Sequence, residues 1–173
     1  MQIKVIIIAV LIGSSYLIGD FIYNSYTKRH KELNDLIRIL EVIRMDLSFG
    51  LYTLEEIFKR IGHKKEYSFS KFFEKMSDDL SLVDGRVLDE ILDDNIKILS
   101  SETYLQNNEI NELKTLILNL GKSDITSQER MINLSVENLK KLTTDSKDDI
   151  FKKGDLYKKL VTFLGICIGI ILI

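Results

Sequence analysis

The 173-residue chain contains no proline and no tryptophan, one cysteine, two histidines and a single alanine, Ala9. Each shortage closes off a class of answer. Without proline, nothing in the chain forces a helix to break, so long uninterrupted helices are open to it. Cys167 alone permits no disulfide framework and no cysteine-based zinc site, and His30 and His63 are too few for a histidine-rich metal centre. No Gly-x-x-x-x-Gly-Lys-[Ser/Thr] loop is present to cradle phosphates, and no serine stands in a Gly-x-Ser-x-Gly turn. A basic excess is missing too. The 24 Lys+Arg against 26 Asp+Glu leave a formal net charge of −2. That balance argues against nucleic acid as the main partner, because neutralising phosphates takes surplus cations. We therefore expect no catalytic residues, no metal or cofactor site, no cofactor and no enzymatic activity.

Apolar residues are plentiful but unevenly placed. In residues 1–23 and 160–173 together only Lys4 and Asp20 are charged, so a charged middle lies between two apolar ends. The N-terminal end is long enough to cross the ~30 Å hydrocarbon layer as a helix. A cleaved signal peptide is the competing reading, but the run is long, no Ala-x-Ala site follows, and no cysteine is placed for a lipoprotein signal. A retained transmembrane helix over 1–23 is expected. At the other end, Leu156 and Tyr157 extend the run if Lys158 and Lys159 lay their stems along it and reach the headgroups. Residues 156–173 then span about 27 Å, enough for a second transmembrane helix with slight thinning of the bilayer. A buried core helix is the alternative there.

Basic residues fix the expected topology. Lys28, Arg29 and Lys31 follow the first span, and Lys152, Lys153, Lys158 and Lys159 crowd the start of the second, against Lys4 and the terminal amine on the far side. The positive-inside bias places the middle domain, 24–155, in the cytoplasm. Two spacings bear on packing in the bilayer: Ser15 with Gly19, and Gly165 with Gly169, both small-x-x-x-small pairs that let helix backbones approach. Whether they pair within one molecule or in a homo-oligomer stays open, and Asp20 is expected to reach the interface.

The middle domain reads as helical throughout. Residues 25–49 place Leu33, Leu36, Ile37, Leu40, Ile43 and Leu47 on one stripe, opposite Glu32, Asp35, Arg38 and Glu41. Gly50 ends this helix, and Thr53 with Glu56 three residues on forms a capping box for a short helix stopped at Gly62. Further helices are expected over 68–82, from about 86 to 99, up to Leu120 after a polar link of Ser100, Ser101 and Glu102, and from Asp124 onward. His30 and His63 are expected in solvent. The fold class is all-α: a helical bundle flanked by N- and C-terminal transmembrane helices. One feature stands apart. Asp78, Asp79, Asp84, Asp89, Glu90, Asp93 and Asp94 fall close together, with Arg86 as the one nearby opposing charge. The spacing does not match a calcium loop. Asp89, Glu90, Asp93 and Asp94, one helical turn apart, form either a solvated face or a docking surface for a basic partner.

Taken in order, these features resemble the stage III sporulation protein AB family of endospore-forming bacteria. The likeness rests on the anchor followed by Lys28-Arg29-His30, and on the helix ending Glu41-Val-Ile-Arg-Met-Asp-Leu-Ser-Phe-Gly50. It continues through Gly50-Leu-Tyr-Thr53-Leu54, which keeps the glycine and threonine of a Gly-x-Thr-Pro-Leu turn but not its proline. Phe72-Phe73-Glu74, Leu120-Gly121-Lys-Ser-Asp124 with Gln128, and the glycine-containing apolar tail complete it. The resemblance implies a protein of the mother-cell membrane around the forespore. It implies partnership with the other stage III sporulation A proteins, including the AA ATPase, and with the ring components of a channel that joins stage II sporulation protein Q. It also implies a soluble domain like that of the type II secretion F platform protein. Gly50, Thr53, Gly121 and Asp124 are the positions that match the family's turns. The expected role is a non-enzymatic scaffold that couples the motor ATPase to the membrane rings. The other readings are a membrane-anchored helical adaptor or sensor, and a metal-dependent hydrolase using the acidic cluster.

Overall fold

The structure, a computed structural model, describes residues 2–50, 52–82, 85–120, 122 and 124–172. It is all-helical: 86% of the residues are in helix, and no strand occurs among the described residues. The elements are α1 (Gln2–Ser48), α2 (Leu54–Gly62), α3 (Ser70–Ser81), α4 (Leu88–Glu102), α5 (Asn107–Asn119), α6 (Ile125–Asp149), a π-helical turn (Ile150–Gly154) and α7 (Asp155–Ile171). Two compact units emerge. A terminal unit joins residues 1–30 to 144–173, and a central unit comprises 31–143. The division falls inside the expected 24–155 domain.

The central unit has a hydrophobic core. Leu33, Leu36, Ile39, Leu40 and Ile43 of α1 meet Ile57, Phe58 and Ile61 of α2, together with Phe72, Phe73 and Met76 of α3 and Leu92, Ile117 and Leu120 further on, all buried. The aromatic residues interlock. Phe72 and Phe73 meet edge-on at 5.0 Å, and Phe58 and Phe73 tilt at 5.3 Å, the offset geometry their quadrupoles favour. α2 packs on α3, α3 on α4, and α4 on α5. Gly62 was expected only as a stop, but it closes the first of these contacts. A Cβ at Gly62 would lie 2.6 Å from the Glu74 backbone nitrogen, so no other residue lets the two helices come this near.

Several expectations are corrected. Glu32 and Asp35 are buried and not on a solvent face, because α1 is enclosed on more than one side. The Glu32 carboxylate accepts the Tyr104 backbone N–H at 2.7 Å and so repays its burial. Ile39, absent from the expected stripe, is fully buried. Ser100–Glu102 complete α4, and the link runs instead from Thr103 to Gln106. His30 is half-buried, with Nδ1 2.8 Å from the Ser146 hydroxyl, whereas His63 is exposed as expected.

The terminal unit has the opposite character. Val5, Ile6, Val10, Leu17 and Phe21 of α1, and Phe163, Leu164, Ile168 and Ile170 of α7, are all more than 45% exposed. Its buried residues are mostly small, Gly19, Ser146, Gly154, Gly165 and Gly169, with Arg29 and Ile150 beside them. Among the described residues, α1 is the one helix long and apolar enough to cross a membrane. α7, at 17 residues, is shorter.

Candidate functional site

The four small residues singled out from the sequence lie on facing helices of the terminal unit. A Cβ on Gly165 would fall within 3.0 Å of the Ser15 side chain. One on Gly169 would stand 3.2 Å from Ile8 Cγ2 and 3.3 Å from Ile12 Cδ1, and one on Gly19 would reach the Lys158 carbonyl oxygen at 2.9 Å. The Ser15 hydroxyl turns inward to the Leu11 carbonyl at 2.9 Å, so the polar group is satisfied without widening the seam. Above the glycines the contact becomes charged. Lys158 Nζ donates to Asp20 at 2.6 Å and lies 5.3 Å and 5.4 Å from the Tyr16 and Tyr23 ring centres. Beyond it, Gly154 of the π-turn lets the Tyr23 and Tyr26 rings approach to 3.4 Å of where its Cβ would be. Arg29 then pairs with Asp149 at 3.3 Å. Lys153, and secondarily Arg29, hold the Asp149 carboxyl below its ordinary pKa. Neither the ion pairs nor the π-turn was legible in the sequence.

The family-turn residues act as helix punctuation. Gly50 has φ +62°, a left-handed conformation that costs glycine little. Three residues on, the Thr53 hydroxyl accepts the Glu56 N–H at 3.3 Å and the Glu56 carboxylate accepts the Thr53 N–H at 2.8 Å, the reciprocal capping box read from the sequence. The Thr53 N–H, and after it the Thr53 hydroxyl donating to the same carboxylate at 3.0 Å, lower the Glu56 pKa. A clamp not foreseen spans the same turn: Arg60 donates to both oxygens of the buried Asp46 at 2.9 Å and lies 4.6 Å over the Tyr52 ring. Asp124 receives the Ser127 N–H at 3.0 Å and the Ser127 hydroxyl at 2.7 Å, capping α6, and these bonds lower its pKa. Gly121 lies outside the described residues, as does Asp84 of the acidic cluster.

The structure divides that cluster. Asp89, Glu90, Asp93 and Asp94 are exposed on α4. Asp79 is buried and structural. Asn95 Nδ2 donates to it at 2.7 Å and Lys75 Nζ at 2.9 Å, and those bonds lower its pKa. Arg86 is not the only opposing charge. Lys114 pairs with Asp93, and its ammonium pKa is raised chiefly by that bond, while Arg86 itself stands 3.5 Å from Asp94. No group of three or more His, Cys, Asp or Glu side chains converges to hold a metal ion among the described residues.

Fold and surfaces together define an all-helical protein with a helix of membrane-spanning length at its N-terminus and a compact helical unit built around an aromatic core. The chain belongs to the stage III sporulation protein AB family, whose model matches residues 4–173. That membership gives it a role in sporulation, and the long apolar α1 is consistent with membrane association. No curated protein and no solved structure matches the chain.

Proposed function

We propose that the chain is a non-enzymatic membrane platform of the mother-cell to forespore channel, coupling a cytoplasmic motor ATPase to ring components in the membrane. The observation that carries this reading is the reversed surface of the terminal unit, with large apolar side chains outward and glycines inward on both α1 and α7. Such a surface suits hydrocarbon, where close backbone packing replaces the hydrophobic effect as the force between helices. It supports a second span over 156–173 although α7 is short, and the flanking lysines support a central unit facing the mother-cell cytoplasm. The likeness of the family to the type II secretion F platform protein supplies the mechanical role. In that role the exposed α4 face, Asp89, Glu90, Asp93 and Asp94, receives a basic surface of the ATPase. Lys114 pairs with Asp93 and also attracts Asp89, and Arg86 stands by Asp94, so Glu90 makes the larger contribution.

The test is co-purification of the full-length chain in detergent with the stage III sporulation AA ATPase and the ring proteins. Retention of the ATPase, weakened by added salt and by joint Asp89→Asn, Glu90→Gln, Asp93→Asn and Asp94→Asn substitution, is the expected result. Unchanged retention by that variant removes docking from this face. Failure of the unaltered chain to retain any of these proteins overturns the platform reading.

A further inference from the structure

Lys158 interrupts the apolar C-terminal segment at its second residue after Leu156, where an unpaired ammonium must stretch to the headgroups or be left in a dehydrated place. The structure gives it another resort. Tyr16, Asp20 and Tyr23 occupy positions i, i+4 and i+7 of α1 and so share one face. Lys158 Nζ sits among them, 2.6 Å from Asp20 Oδ1 and between two aromatic rings. The other oxygen of Asp20 accepts Asn24 Nδ2 at 2.9 Å, so both carboxylate oxygens are occupied. The Lys158 carbonyl takes the Thr162 hydroxyl at 2.8 Å. Gly19, adjoining Asp20, brings the two backbones close enough for the pair to form.

We infer that Asp20 and Lys158 join α1 and α7 of one chain into a single membrane-insertion unit, in which each charge seats the other and the C-terminal helix enters the bilayer only with its N-terminal partner. The inference rests on the reading of 156–173 as a span. It assigns the Ser15/Gly19 and Gly165/Gly169 seam to contacts inside a molecule. Oligomers and channel partners are thereby left to the outward faces and to the central unit.

The test uses the full-length chain in membranes, with Cys167→Ser and the pair Ile12→Cys with Gly169→Cys, chosen because a Cβ at position 169 would stand 3.3 Å from Ile12 Cδ1. A C-terminal epitope tag reports which side of the membrane that end occupies. Oxidation is expected to give a fast-migrating, internally cross-linked monomer. Asp20→Lys or Lys158→Asp alone is expected to cut the cross-linked fraction and the translocated tag by roughly threefold or more, the scale of a lost partly exposed pair. Both reversals together are expected to restore them. A double reversal no better than either single one overturns the inference, as does cross-linking between two chains. If cross-linking and rescue behave as expected but the tag stays on the side of the central unit, the span fails, and the insertion half of the inference fails with it. The in-chain pairing then stands.

Discussion

The two units of this protein solve the same packing problem in opposite ways. In the central unit, residues 31–143, large side chains point inward: Phe58, Phe69, Phe72 and Phe73 are at most 1% exposed. Polar groups that follow them inside find partners there: Glu32 the Tyr104 N–H, Asp46 the Arg60 guanidinium, Asp79 the Asn95 amide. In the terminal unit, Phe21, Phe163, Ile6, Ile168 and Ile170 point outward, while Gly165 and Gly169 face Ser15, Ile8 and Ile12 across the contact between helices. Water drives large apolar groups together, whereas hydrocarbon offers no such reward and leaves van der Waals fit and polar pairing to hold helices. The same residue type therefore has opposite meaning in the two units, and substitutions can expose that difference.

The largest contrast lies between two phenylalanines. Phe73→Ala empties the aromatic cluster, and a loss of about 3–5 kcal/mol is expected for deleting a buried aromatic side chain. In the terminal unit, Phe163, 62% exposed, sits on the outward face, and Phe163→Ala is expected to leave stability nearly unchanged. Thermal unfolding of the full-length chain in detergent, followed by circular dichroism, compares them. Equal losses would dissolve the distinction between inward and outward apolar faces.

A smaller contrast concerns carboxylates. Asp79 has its pKa lowered from 3.8 by Asn95 and Lys75, and it is buried. The bonds made by its charged form contribute stability above the unfolded value, and that contribution is lost as pH falls through the lower folded value. Asp79→Asn is expected to cost about 1.5–3 kcal/mol at neutral pH, the range for hydrogen bonds to charged groups. The difference from the unaltered chain should shrink as the pH drops below about 4. Asp149 of the terminal unit shifts the same way under Lys153 and Arg29, but its side chain is 20% exposed, so Asp149→Asn should cost less. Denaturant titrations at a series of pH values check both. A cost that grows on acidification would refute the role given to Asp79.

Two glycines give the smallest contrast. Gly62→Ala drives a Cβ into the backbone of α3, and about 1–3 kcal/mol of overpacking is expected. Gly13→Ala meets nothing within 4 Å and removes a poor helix former, so it is expected to be neutral or slightly stabilising. The same melting experiment ranks the pair.

What could be read from the sequence follows the range of the interaction that sets it. Helix existence, the capping box at Thr53 and the left-handed turn at Gly50 depend on residues within a turn or two, and all were legible. The burial of Glu32 and Asp35 was not. A single-stripe reading assumes a helix with one wet side, and the enclosed stretch of α1 has none to spare for them. The role of Gly62 depends on Glu74 and that of Lys114 on Asp93, partners that periodicity cannot reveal. At the candidate sites the division is similar: the small-residue spacings stood out, but that Gly165 faces Ser15, and that Lys158 finds Asp20 beside Gly19, is information only the fold holds. The loss of regular pitch over Ile150–Gly154 has no local signal at all, since Ile-Phe-Lys-Lys contains no helix breaker before the glycine.

The proposed arrangement, a cytoplasmic helical unit held by apolar ends in the membrane, is tested most directly by thiol accessibility. In the Cys167→Ser chain, a single cysteine is placed at the exposed Lys64 of the central unit, and a membrane-impermeant maleimide is added to intact cells. The account predicts no labelling until the membrane is permeabilised, with the chain remaining in the membrane fraction after alkaline extraction. Labelling of Lys64→Cys in intact cells, or release of the chain by alkali, would contradict it.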